Sequence, residues 1–379
     1  MNEKEIKVLF SCGDRSADKY LSLLLKNIKQ INSHIKTYVL GGDESKSYSD
    51  VFLENLVDYD AHGFYSPFFQ FFKFFFLLKK LKKFIKNNKI ILIGLIDYYG
   101  FNIRVAKLAK RYNIKVVYYI TPQVWANRRY RLKKIKKYVD FVINIYPFEK
   151  EIYDKFNIKN FYFGHPIVDI IQDQDFSYYN QNSLIIGIFP GSRKQVIKWN
   201  LPIMLDILNN YFKSYNMSLE CIIFGFKKYE NLYKKIIRKY PFSKNIQLSF
   251  HNKEELRKKI SLAISVSGTV VLENVFYGIP TIVIYRLPYL MYFIVKKIVY
   301  VKFISIPNII LNKEVIPEFI QNNIKLDKIS KFIHLFLHNT SYINNLLNEY
   351  SKIKLILSEN KNVSFFVAKK IIEYIYEQN

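Results

Sequence analysis

Apolar positions in this chain fall into short continuous runs, and the stretches between the runs carry a helical spacing. Ile6–Phe10 reads as a buried strand, followed by Gly13 and a polar turn and then by a helix around Ala17–Ile28. Further strands are predicted at Lys36–Leu40, Ile90–Ile96, Val116–Ile120 and Phe141–Ile145, with helical segments before the last two. Runs without alternation, separated by helices, indicate a parallel sheet covered on both faces. After His165-Pro166-Ile167-Val168-Asp169 the pattern stops, and residues 171–183 read as a polar linker. It restarts at Leu184–Phe189 and continues through Leu219–Phe224, Ile246–Phe250, Leu262–Val266 and Pro280–Tyr285, with helix predicted throughout from about Leu326. This layout predicts two doubly wound α/β domains facing a cleft. Their expected bounds are 1–170 and 184–345, with closing helices over 346–379 that return to the first domain.

With 379 residues, half of them hydrophobic and 23% charged, the chain can bury two cores. Two distant cysteines, Cys12 and Cys221, make no disulfide framework and point to a reducing compartment. The start lacks the apolar core of a secretory signal. No apolar run reaches the roughly 18 residues that argue for a spanning helix. The net charge of +27 admits a nucleic acid, an anionic membrane or an anionic substrate as partner, or a solvated surface shaped by Lys-, Asn- and Ile-rich codon drift.

Open parallel sheets bind ligands beyond the carboxyl ends of their strands, so the chemistry belongs in the loops there. The first such loop holds Gly13, Asp14, Arg15, Ser16 and Asp18, which suit either a binding turn or a helix capped by Ser16. Asp97 ends the third strand; a carboxylate there is a general base or an N-cap. Pro190-Gly191-Ser192-Arg193 follows the first strand of the second domain. Its glycine permits close backbone approach, and its arginine can grip phosphate through two parallel bonds; the alternative is an ordinary turn. Ser267-Gly268-Thr269 opens another helix, with Glu273 one turn on, fit either to hold a ribose or to close a capping box. Two small-residue loops of this kind in one domain favour nucleotide binding. No cluster has metal-ligand spacing, so neither metal nor cofactor is expected. His165 reads as a structural histidine.

Residues 68–76 contain Phe68, Phe71, Phe72, Phe75 and Phe76 among seven phenylalanines, and Lys79, Lys80, Lys82, Lys83 and Lys86 follow. An apolar half joined to a basic half suits a helix lying on a membrane; a buried interdomain helix is the alternative.

Taken together, these loops resemble the lipid-A-disaccharide synthases. Ser11–Asp18 (SCGDRSAD) is similar to that family's Ala-Gly-Glu-Ala-Ser-Gly-Asp, with Asp14 for the glutamate and Ala17 for the second glycine. Ile96–Asn102 (IDYYGFN) is similar to Ile-Asp-Ala-Pro-Asp-Phe-Asn, Gly100 standing at the second aspartate. Thr121–Ala126 resembles Ser-Pro-x-Val-Trp-Ala; Pro147-Phe148-Glu149, Gly164-His165-Pro166, Pro190–Arg193, Ser267–Glu273, Tyr285-Arg286 and Ser305–Asn308 continue the series in order.

The resemblance implies the GT-B fold and inversion at the anomeric carbon. It implies transfer of 2,3-diacylglucosamine from its UDP derivative to 2,3-diacylglucosamine 1-phosphate. The first domain then takes the acceptor and the membrane, and the second the nucleotide sugar. Asp97 is the implied base. Gly13, Ser16, Asp18, Asn102 and Trp125 are expected at the acceptor, and Gly191, Ser192, Arg193, Ser267, Gly268, Thr269, Glu273 and Asn308 at the donor. The five phenylalanines are expected at membrane or acyl chains. The implied location is the cytoplasmic face of the inner membrane, held peripherally by anionic lipid; a homodimer is compatible with this, and nucleic acid is not a partner. Two rivals stand beside this reading. One is another GT-B enzyme on UDP-GlcNAc-type donors, an undecaprenyl-linked precursor transferase or an epimerase. The other is a nonenzymatic membrane-binding relic.

Overall fold

The computed structural model describes residues 5–61, 67–126, 128–171, 184–251, 253–289, 291–293 and 301–377, with backbone only at 60–61, 67–71 and 253. The linker read at 171–183 lies outside the described residues except for Ile171. The chain divides into two compact units, Met1–Ile170 with Ile356–Asn379, and Ile171–Leu355.

The first unit is built on a seven-stranded sheet: β1 (Ile6–Cys12), β2 (Ile35–Gly41), β3 (Val51–Asn55), β4 (Leu92–Ile96), β5 (Lys115–Tyr119), β6 (Phe141–Asn144) and β7 (Asn160–Tyr162). Every pairing is parallel, and the order is β3-β2-β1-β4-β5-β6-β7. Helices α1 (Arg15–Ile31), α2 (Asp43–Lys46), α3 (Val57–Ala61), α4 (Pro67–Asn88), α5 (Tyr99–Lys110), α6 (Tyr130–Tyr138), α7 (Pro147–Lys155) and α8 (Ile167–Ile170) connect them. The central strands are apolar on both faces because helices cover both. Leu9, Ile93, Leu95, Val116 and Tyr118 are all buried, with Phe101, Val105 and Ala109 of α5 packed in the same core. Strand order reverses between β1 and β4, where Cys12 lies in register with Ile96. Switch points of this kind are where open α/β sheets bind ligands, and the residues that follow the two strand ends there are Gly13 and Asp97.

The second unit holds β8 (Ile185–Phe189), β9 (Glu220–Phe224), β10 (Ile246–Ser249), β11 (Leu262–Ser265), β12 (Thr281–Tyr285) and β13 (Glu318–Ile320). Its parallel order is β10-β9-β8-β11-β12-β13. The helices are α9 (Lys194–Tyr215), α10 (Glu230–Ile237), α11 (Lys253–Arg257), α12 (Thr269–Phe276), α13 (Ile306–Leu311), α14 (Leu326–His338) and α15 (Thr340–Leu357). Here the switch point lies between β8 and β11, with Phe189 opposite Ser265. The loops beyond it are Pro190–Arg193 and Val266–Gly268.

A last helix, α16 (Val363–Tyr376), packs on α1 in the first unit. Asp169 accepts the free N–H groups of Val363 (2.9 Å) and Ser364 (2.6 Å) at its start, and Tyr374 meets Phe141 edge to face at 4.9 Å.

Helix α4 has two characters. Leu77, Leu81 and Ile85 recur at helical spacing and are buried, and Phe74 packs on Tyr59, Tyr98 and Phe101. The other face keeps Phe72, Phe75 and Phe76 at 42%, 45% and 64% exposure. Full burial of the helix is therefore not realised. The side chains of Phe68 and Phe71 lie outside the described residues. Among the described residues no helix is long and apolar enough to cross a membrane.

Candidate active site

Asp97 follows the last residue of β4 and has φ of +45°, and Tyr98 has φ of +44°. Two successive non-glycine residues in the left-handed region store strain that surrounding bonds must hold. The Asp97 N–H donates to the carbonyls of Tyr119 (3.3 Å) and Ile120 (3.1 Å). Its carbonyl accepts from the Tyr118 hydroxyl (2.6 Å) and from Asn102 Nδ2 (2.9 Å). The main chain is thus clamped on both sides, while the residue as a whole stays half-buried.

Asn102, expected to face the acceptor, is wholly buried beneath this loop. Its Nδ2 also donates to the carbonyls of Ser11 and Ile96 (both 3.1 Å), and its Oδ1 accepts from Ser11 Oγ (2.7 Å). It ties the ends of β1 and β4 together, and its amide has no group left for a substrate. Gly13 lies under the Tyr98 ring, where an added Cβ would come within 2.4 Å of Cδ1. Side chains are excluded at 13 because the strained Tyr98 occupies that space.

The helix after β1 is capped by Asp14, not Ser16: Asp14 Oδ1 accepts from the N–H of Ser16 (2.9 Å) and of Ala17 (3.4 Å). Ser16 stays partly exposed in the first turn. Asp18, also expected at the acceptor, is 3% exposed and accepts from the N–H of Gly42 (2.8 Å) and of Glu44 (3.1 Å). Both carboxylate oxygens hold the β2–α2 turn.

Trp125 is turned inward as well. Its Nε1 donates to Glu149 Oε1 (3.2 Å), and its ring meets Phe148 edge to face. Glu149, absent from the expected site, sits in the first turn of α7 and also accepts from the N–H of Ile145 (3.3 Å) and Tyr146 (3.2 Å). It therefore joins the loops after β5 and β6. Among the described residues no cation faces it, and burial pushes its carboxyl up to about 8 against the opposing pull of these three donors. An acid whose folded pKa is raised favours the folded state while protonated. Its contribution is full below the ordinary value of 4.5 and disappears as pH rises through about 8. Stability is expected to fall across that window by up to about 1.4 kcal/mol per pH unit. Urea melts at pH 5 and pH 8 check this: Glu149→Gln should lose the slope. Parallel losses in both proteins would assign the titration to another group.

His165 is buried and neutral. Burial holds its pKa down at about 3, and its Nδ1 accepts from the Ile167 N–H at 3.0 Å.

In the second unit, Gly191 has φ of +101°, and a Cβ there would meet Val196 Cγ1 at 2.9 Å, so the turn after β8 needs glycine twice over. Ser192 and Arg193 are exposed, Arg193 standing at the N-cap of α9. Burial pushes the Tyr285 phenol up, and the Arg193 guanidinium opposes the rise, which sets the arginine near the end of β12. Helix α12 starts at Thr269, with no side-chain cap from Gly268, so the capping-box alternative for Glu273 is not realised. Glu273 instead pairs with Arg257 at 2.6 Å. Arg257 is buried, its guanidinium over the rings of Phe189 (5.3 Å) and Tyr277 (5.0 Å). Sequence reasoning missed this arginine because α11 has no loop motif.

Asn308, expected at the donor, is wholly buried and fully bonded. Nδ2 donates to Ile316 O (2.7 Å) and Glu318 Oε1 (2.8 Å), and Oδ1 accepts from the N–H of Val315 and Ile316 (both 2.8 Å). No group of its amide remains for a ligand. Its partner Glu318, also missed, accepts from Ile304 N, Ser305 N and Ser305 Oγ at 2.6–2.9 Å. Ser267 Oγ donates to the Ile304 carbonyl at 2.6 Å. Glu318 and Asn308 therefore fix the segment on which Ser267 rests.

Two parallel doubly wound sheets with small-residue loops at both switch points define a protein of the GT-B fold. Solved structures agree on that fold. The UDP-GlcNAc 2-epimerase of Neisseria meningitidis bound to UDP-GlcNAc superposes with a TM-score of 0.63 at 13% identity, over 99% of this chain and 100% of that one. Acinetobacter baumannii MurG superposes with 0.58 at 11%, over 97% and 99%. The family model for lipid-A-disaccharide synthetase matches residues 8–372. The lipid-A-disaccharide synthase of Persephonella marina is 30% identical over 93% of this chain and 95% of its own length, and that of Coxiella burnetii is 28% identical over 97% and 98%. The chain belongs to the lipid-A-disaccharide synthetase family and is a glycosyltransferase, of the hexosyltransferase class. Neither rival reading is favoured by these matches.

Proposed function

We propose that this chain transfers 2,3-diacylglucosamine from its UDP derivative to the 6-hydroxyl of 2,3-diacylglucosamine 1-phosphate, giving the β-1,6 disaccharide 1-phosphate and UDP. The observation that carries the mechanism is Asp97 at the switch point of the first sheet, its main chain clamped by Tyr118 and Asn102. Asp97 takes the proton from the acceptor hydroxyl as that oxygen bonds to the donor's anomeric carbon. The bond from that carbon to the UDP oxygen breaks, and UDP leaves with the electron pair. Attack opposite the leaving group inverts the carbon.

The second unit binds the donor. Ser192, Arg193 and the N–H groups at the start of α12 take up charge on the departing diphosphate. Gly268 supports this: its backbone is extended and a Cβ there would meet only open space, so the room is available to a ligand. Glu273, oriented by Arg257, accepts the ribose hydroxyls. UDP-GlcNAc bound to the Neisseria meningitidis epimerase supports a UDP-sugar as donor on this fold. On the first unit, Ser16 and the backbone at Gly13 line the acceptor.

The exposed Phe72, Phe75 and Phe76, followed by exposed Lys79, Lys80, Lys82 and Lys83, support docking on an anionic membrane surface, where both acylated substrates reside.

The deciding experiment is incubation with the two acylated glucosamine substrates, followed by thin-layer chromatography. Disaccharide 1-phosphate and UDP should form in equal amounts. Epimerisation of UDP-GlcNAc with no disaccharide would overturn the reading.

A further inference from the structure

The loops beyond β4 and β5 hold a charge imbalance that the chemistry above leaves unused. Between Asp97 and Asp140 there are twelve lysines and arginines and no acidic residue. Lys110 is neutralised by Asp140 at 2.5 Å, and Lys107, Arg111 and Lys115 lie toward the opposite edge of the sheet, at the end of α5 and the start of β5. Arg104, in the second turn of α5, and Arg128, Arg129 and Arg131, around the start of α6, remain at the carboxyl edge. Helices α5 and α6 pack together, and Arg131 of α6 and Arg104 of α5 both act on Tyr99 at the start of α5.

Arg131 is the fixed member. Its guanidinium carbon lies 4.2 Å from the centre of the Tyr99 ring, two residues beyond Asp97. This cation–π contact holds the guanidinium over the ring and leaves N–H groups for another partner. Arg131 Nε is buried and finds no acceptor among the described residues, and the Tyr99 hydroxyl is likewise buried without a partner there. A buried N–H of this kind marks a group waiting for an acceptor. Arg104, which with Arg131 acts electrostatically on Tyr99, and Arg128 and Arg129, three and two residues before Arg131, are exposed. The corner is shared with the base: Tyr118 bonds the Asp97 carbonyl, and its phenol, pushed well up by burial and by Asp97, is pulled back by Arg131.

We propose that Arg131, braced on Tyr99 and assisted by Arg104, Arg128 and Arg129, binds a phosphomonoester, the 1-phosphate of the acceptor sugar, and thereby aims the acceptor hydroxyl at Asp97. This rests on the reaction proposed above. In a pyranose C1 and C5, the carbon that bears C6, flank the ring oxygen, so a phosphate on C1 lies within one sugar ring of the 6-hydroxyl, and a phosphate grip beside the base, and separate from it, is the arrangement that orients such an acceptor. An arginine can hold a phosphate through two parallel N–H···O bonds, which an ammonium cannot. The same cations could instead meet the phosphate of a lipid headgroup, and the test separates the two sources.

Kinetics are measured in neutral detergent with the acceptor and with its analogue lacking the 1-phosphate. The wild type should prefer the phosphorylated acceptor in kcat/KM by about 10- to 100-fold, the range of charged hydrogen bonds. Arg131→Gln should fall to the level that the wild type shows with the analogue, and its preference should shrink toward one. Arg131→Lys, which keeps charge without the fork, should lie between, and Arg128→Gln with Arg129→Gln provides a second variant remote from the Tyr99 stack. A wild-type preference retained in Arg131→Gln and in the double variant overturns the assignment. So does a wild-type preference near one together with loss of binding to phosphatidylglycerol vesicles in Arg131→Gln, which would assign the cluster to headgroups. Absence of any disaccharide from the wild type would instead remove the underlying reaction, and this site with it.

Discussion

Asp97→Asn is expected to lower turnover by about 10²–10⁴-fold, the usual contribution of a positioned general base. Asparagine is the right replacement for a structural reason. Residue 97 sits at φ of +45°, and asparagine tolerates the left-handed region better than other residues with a Cβ. Alanine would add backbone strain to the chemical loss and blur the result. The clamps on residue 97 are main-chain bonds, from Tyr118 and Asn102 to its carbonyl and from its N–H to Tyr119 and Ile120. Asparagine keeps these clamps and the size and shape of the side chain, so the melting temperature of Asp97→Asn should stay within a few degrees of the wild type's. The deficit should fall on kcat, because the proton moves only as the new bond forms. The checks are UDP release under saturating substrates and a thermal melt on the same preparation. Turnover near the wild-type level with the fold intact would remove Asp97 from the mechanism.

How much of this was readable beforehand follows from burial. Strands β1, β2, β4, β5, β6, β8, β9, β11 and β12 lie inside their sheets, with apolar residues on both faces, and these runs were visible in the sequence, as was the edge strand β10 (IQLS). The three strands that escaped notice, β3 (VFLEN), β7 (NFY) and β13 (EFI), are all at sheet edges, short and half-polar. The loops at both switch points were legible because strand ends followed by glycine and small polar residues have few other uses. Side-chain direction was not. An asparagine in a motif looks the same whether it faces a ligand or satisfies buried backbone, and Asn102 and Asn308 do the second. Asp18 belongs with them, since a carboxylate near a strand end can cap a neighbouring turn. Arg257 and Glu318 went unseen, and Glu149 was read only as part of a motif and given no role, for the converse reason. Each acts through partners distant in sequence or through a loop with no signature of its own, and only packing brings Arg257 to Glu273 or Glu318 to the segment beneath Ser267.

Arg193→Ala should cost about 10²–10³-fold in kcat, the scale of losing one preorganised group that stabilises charge in the transition state. Arg193 is exposed at the N-cap of α9, makes no side-chain cap bond and has φ of −105°, so truncation removes no packing and asks nothing unusual of the backbone. The loss is therefore chemical. Negative charge on the diphosphate rises as its bond to the anomeric carbon breaks, and a guanidinium held beside it is worth more at that moment than in the bound donor. Arg193→Lys should recover only part of the activity, since an ammonium supplies charge without two parallel bonds. Glu273→Ala provides the contrast. Ribose hydroxyls carry the same charge before and during transfer, so that change should raise the donor KM roughly tenfold, about one hydrogen bond to a charged group, and leave kcat nearly intact. Measuring kcat and donor KM for the three variants distinguishes the roles. A deficit of Arg193→Ala confined to KM would reassign the arginine to ground-state binding, and the helix N-termini alone would then have to meet the leaving charge.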